Sequence, residues 1–63
     1  MKIDGINYTQ RDRAQMLIEA KKYLISRGIR PTRMMVVAQI AAEHGDAVAL
    51  MMRNVLRRNR YRA

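Results

Sequence analysis

The stretch "AQIAAEHGDAVALMMRNVLRRN", residues 38–59, decides the fold. It admits two readings. In one, Gly45 ends a helix and Asp46 caps the next, giving helices near 32–44 and 46–60. In the other, a single helix runs through Gly45 at a cost of about 1 kcal/mol relative to Ala. The positions Met34, Ala38, Ala41, Gly45, Val48, Met52 and Val55 step alternately by four and three residues. That spacing is a heptad seam, with small residues at its centre that let two helices approach closely. It favours a continuous or merely kinked helix, and it predicts a homodimer closed along those seven residues.

The same stretch invites comparison with a DNA-reading helix-turn-helix. Ile40-Ala41, Gly45 four residues on and Met51 fit the small-residue, turn and core positions of that motif. His44, Asp46 and Asn54 do not fit. The groove-facing set would be Ala47, Val48, Ala49, Met52 and Arg53, of which only Arg53 has a side chain able to hydrogen-bond a base edge. Sequence reading in a DNA groove is therefore disfavoured. A ribbon-helix-helix dimer built on "KIDGINY" is weaker still, because Gly5 interrupts the alternation that a strand needs.

Upstream, "GIRPT" is a clear break, since Pro31 disfavours helix at Arg30 and Thr32 can cap a second helix. So short a connection makes the flanking helices antiparallel neighbours. The first helix is expected over residues 9–27. Thr9 and Asp12 form an approximate capping box. Ala14, Leu17, Ile18, Leu24 and Ile25 make an apolar face widened by Met16, Ala20 and Tyr23, and Gly28 is a natural terminator. Residues 1–8 read as an extended arm or short hairpin turned at Asp4-Gly5. The helical segment 32–60 ends in a tail at 61–63. The fold class expected is all-α, a helical hairpin in one domain.

A chain of 63 residues hides only about 60% of its unfolded surface and is marginal alone. With no Cys, disulfides and thiolate metal sites are excluded, and a lone His44 builds no metal site, so self-association is the expected source of extra stability. Hydrophobic residues make up 49%, too many for a disordered basic tail. No apolar run approaches the roughly 18 residues of a membrane span, and "MKIDGINYT" has no signal-peptide character. A soluble cytoplasmic protein is expected, with no membrane partner.

Charge is the other signal. Thirteen Lys and Arg against five Asp and Glu give a net charge of +8. Such a balance points to nucleic acid or an acidic protein, set against the plainer reading of a solvated face. "RNVLRRNRYRA" places Arg53, Arg57, Arg58, Arg60 and Arg62 around Tyr61. Arginine forks pair with phosphate and tyrosine stacks on bases, while arginines at a helix end also simply complement its dipole. Arg11, Arg13, Arg27, Arg30 and Arg33 offer a second basic patch. The Met34/Met35 and Met51/Met52 doublets each cover two helix faces, one for a core and one for a second surface. His44 reads as a structural side chain, with a pH switch as the alternative. No nucleophile and base, paired carboxylates or Gly-rich phosphate loop occur, and the chain is too small to enclose a pocket of the usual volume. No enzyme activity, cofactor or small-molecule substrate is expected.

In length and character, and in stretches such as "TQRDRAQMLIEAKKYLISRGIRPT", the chain resembles the small early proteins encoded in the exo–xis region of lambdoid phages. That resemblance implies an early-expressed modulator of the lysis–lysogeny decision, acting through contacts with a bacterial host or phage protein. The function expected is thus a non-enzymatic regulatory binding protein working through protein contacts. The alternative is a nucleic-acid binder, helix-turn-helix-like or gripping phosphates through arginine, in transcription regulation.

Overall fold

Local chemistry sets most element boundaries in the computed structural model, which describes residues 2–61. Asp4 and Gly5 both take positive φ, 51° and 80°, as a two-residue hairpin turn demands. They join β1 (Lys2–Ile3) to β2 (Ile6–Asn7), paired antiparallel as Lys2 with Asn7 and Ile3 with Ile6. The short-hairpin reading of the N-terminus thus holds, and Ile3 and Tyr8 lean on the helical core.

Helix α1 (Gln10–Ser26) opens on a reciprocal capping box. The Asp12 N–H donates to Thr9 Oγ1 at 3.1 Å, and the Thr9 N–H donates to Asp12 Oδ2 at 3.0 Å. Its end is a Schellman turn: Ile29 N–H reaches Leu24 O and Gly28 N–H reaches Ile25 O, with Gly28 at φ 71°. The buried stripe is Met16, Ala20 and Leu24. The apolar face expected from the sequence is therefore rotated. Ala14 is exposed, and Ile18 and Ile25 are 46% and 63% exposed, on the opposite side of the helix.

Thr32 caps α2 (Arg33–His44) by accepting from the Met35 N–H at 3.3 Å. At Gly45 the chain turns sharply, with φ 94° and ψ 166°, and α3 (Asp46–Arg58) begins at the next residue. The expectation of a continuous helix is corrected here. A straight helix over 32–60 would be about 43 Å long, whereas the longest dimension of the molecule is 34 Å. The reason is burial. Folding back at Gly45 lets α3 bury Val48, Ala49, Met51, Met52 and Leu56 against Val36 and Ile40 of α2 and the α1 stripe. The four larger side chains contribute at most about 6–12 kcal/mol at about 1.5–3 kcal/mol each. The turn itself keeps Gly45 N–H on Ala41 O and Ala49 N–H on Gly45 O.

The two helices run antiparallel, because their far ends meet. The Tyr61 hydroxyl, just past α3, donates to Pro31 O, just before α2, at 2.5 Å. A helix-turn-helix instead crosses its helices at about 90–120° through a longer turn. Val48, Ala49 and Met52, three of its would-be groove residues, are buried, so in this fold they do not face a groove.

The heptad seam is split by the same fold. Val48 and Met52 lie in the chain's own core and Ala41 and Val55 are half-buried, while Met34, Ala38 and Gly45 stay exposed. Met51 and Met52 both serve that core, and in the first doublet Met35 is half-buried while Met34 is 80% exposed. The structure is helical with a small two-stranded sheet, and no helix among the described residues is long and apolar enough to cross a membrane.

Candidate functional site

The hairpin about Gly45 decides which charges meet. Residues equally distant from Gly45 face one another, so Arg33 comes opposite Arg57 and Val37 opposite Arg53. The structure shows the result as an open cleft of about 910 Å³ between the start of α2 and the second half of α3. It is lined by Arg33, Arg53 and Arg57, by the apolar Met34 and Val37, and at one end by Thr32 and Tyr61. Arg53 and Arg57 stand one helical turn apart on the exposed face of α3, which also carries Leu50 and Asn54.

No carboxylate lines this cleft. The five acidic residues are Asp4, Asp12, Glu19, Glu43 and Asp46, so the segments 20–42 and 47–63 contain none. Among the described residues the one ion pair is His44 with Glu43 at 3.9 Å, at the opposite end of the α2–α3 hairpin. The cleft guanidiniums therefore keep their full field toward solvent. Its two hydroxyls are engaged: Thr32 Oγ1 accepts the α2 cap bond and Tyr61 donates to Pro31. The Lys21 ammonium lies 5.0 Å from the centroid of the Tyr61 ring, bringing a cation of α1 to the same end. Burial pushes the Tyr61 hydroxyl above its ordinary pKa of 10.0 and keeps it a donor.

Of the predicted arginines, Arg53 and Arg57 line the cleft. Arg58 and Arg60 are exposed beside it, and Arg62 lies outside the described residues. Arg60 holds φ 53°, a left-handed conformation that favours glycine, in a second Schellman turn closed by Tyr61 N–H on Leu56 O. Arg33, assigned from the sequence to a separate patch, belongs with Arg53 and Arg57. The signal that could have joined them was the break at Gly45. Arg13 is held elsewhere, donating to Tyr8 O at 3.0 Å, and Arg27 stacks over Tyr23 at 4.9 Å.

Fold and site together define a small three-helix domain with an acid-free cleft suited to binding an anionic ligand. Comparison with protein families, with curated proteins and with solved structures finds no match.

Proposed function

We propose that this protein is a non-enzymatic binding protein that holds nucleic acid by its phosphates, without reading base sequence, and regulates by occupying it. The observation that carries this reading is the convergence of Arg33, Arg53 and Arg57 on one open cleft with no carboxylate in it. Three guanidinium forks placed together match phosphate oxygens. Besides the arginines, no Asn, Gln, Asp or Glu lines the cleft to read a base edge. A role as an early phage regulator belongs to the same proposal.

The test is fluorescence anisotropy with labelled nucleic acid between about 50 and 200 mM salt. Affinity should fall steeply with salt, and replacing all three arginines by Gln should flatten the log–log slope by about 2–3. Absence of binding near physiological salt, or an unchanged slope in a folded triple variant, would refute it.

A second reading, protein contact, is favoured by one observation. Met34 and Leu50 are 80% and 55% exposed, and methionine is common at adaptable contact surfaces. A homodimer belongs here. It would rest on Met34, Ala38 and the half-buried Ala41 rather than on the whole seam, and sedimentation equilibrium tests it. Co-purification of one host protein after nuclease treatment tests the wider form.

A further inference from the structure

The cleft is not uniformly charged, and its apolar part is informative. Met34 is 80% exposed, more than any other large hydrophobic residue among those described. With the half-buried Val37 it supplies the apolar part of a cleft also lined by Arg33, Arg53 and Arg57. A duplex turns its phosphates outward and keeps its bases stacked and paired within, so its backbone offers nothing apolar to cover these side chains. A single strand offers both chemistries at once, phosphates for the guanidiniums and unpaired base faces for apolar side chains and guanidinium planes.

We infer that the α2–α3 cleft is a site for single-stranded nucleic acid, in which Arg33, Arg53 and Arg57 hold phosphates and Met34 with Val37 receives an unstacked base. The inference rests on the phosphate reading above and narrows it. Shape agrees: the cleft is an open concavity of about 910 Å³, whereas a duplex is read by an element that protrudes into a groove. Three of the five α3 side chains that would enter a groove in the helix-turn-helix alignment, Val48, Ala49 and Met52, are instead buried. Tyr61 closes the end of the cleft with its hydroxyl on Pro31 and Lys21 over its ring, so the base contact falls to Met34 and the arginines. Every base has a face to offer, so binding should tolerate any sequence.

The experiment compares labelled oligothymidylate and oligouridylate with a duplex of equal length, by anisotropy at one moderate salt concentration. The full chain is used beside Met34→Gln, a substitution at an exposed position that leaves the core intact. Strands should bind about ten-fold tighter than duplex. Met34→Gln should weaken strand binding about five-fold, the size of a methionine sulfur contact with an aromatic ring, and leave duplex binding unchanged. A glutamate-rich peptide serves as competitor and should displace the strand poorly. Equal strand and duplex affinity, no effect of Met34→Gln, or displacement by the peptide as effective as by unlabelled strand would each overturn the single-strand site while leaving charge binding in place. Binding to neither nucleic acid would overturn the phosphate reading itself.

Discussion

Replacing Gly45 by Ala distinguishes the folded-back structure from a straight helix by the sign of its effect. In the structure Gly45 sits at φ 94° and ψ 166°, a region nearly restricted to glycine, where a side chain costs about 1–3 kcal/mol. Nothing lies within 4 Å of a Cβ added there, so backbone strain is the whole effect, with no steric clash added and no packing gained. In a continuous helix the same substitution would stabilise by about 1 kcal/mol, the helix-propensity difference. For a domain of this size each kcal/mol moves the Tm by about 4–8 °C. Thermal melting followed by far-ultraviolet circular dichroism should therefore show Gly45→Ala melting at least about 4 °C below the parent. A synthetic chain with D-alanine at position 45, which accepts this backbone, should lose none of that stability. A higher Tm for Gly45→Ala, with a radius of gyration well above 11.0 Å by small-angle scattering, would refute the break.

Tyr61→Phe removes the hydroxyl that ties the end of α3 to Pro31 and should cost about 0.5–1.5 kcal/mol, read from denaturant melts. In the parent the raised Tyr61 pKa means its contribution is full below pH 10.0 and is lost as pH rises through the folded value, a dependence Phe should abolish. Arg60→Gly should relieve the left-handed strain at φ 53° and raise stability by up to about 1 kcal/mol, while weakening nucleic-acid binding in the anisotropy assay. Asp12 is held below its ordinary pKa of 3.8, chiefly by the Thr9 N–H and then the Thr9 hydroxyl, with Arg11 and Arg13 adding. Its cap is therefore intact above pH 3.8 and is lost as pH falls through the folded value. Amide exchange in the first turn of α1 should accelerate there, and Asp12→Asn should remove that pH dependence.

The elements legible in advance share one property: their causes lie within a few residues along the chain. Asp4-Gly5 sets a turn, Thr9 and Asp12 cap each other, Gly28 ends a helix, and Pro31 with Thr32 separates it from the next. Each is a steric or hydrogen-bond preference that the neighbouring residues settle among themselves. The charge is likewise a property of composition, and it raised the expectation of an anionic partner without locating a site for one. The misjudged features all depended on what packs against what. At Gly45 a helix with one glycine and a helix broken there differ locally by only about 1 kcal/mol. The choice passed to the core, where Val48, Met51, Met52 and Leu56 are buried. The face of α1 followed the same logic, since its apolar residues lie on both sides and only the position of α2 and α3 selected Met16, Ala20 and Leu24. Arg33 joined Arg53 and Arg57 for that reason too. By itself the sequence determined both ends of α1, the start of α2, the turn residues and the excess of cations. Tertiary structure decided the fold at Gly45 and the cleft it creates, because burial of distant side chains outweighs a local preference of about 1 kcal/mol.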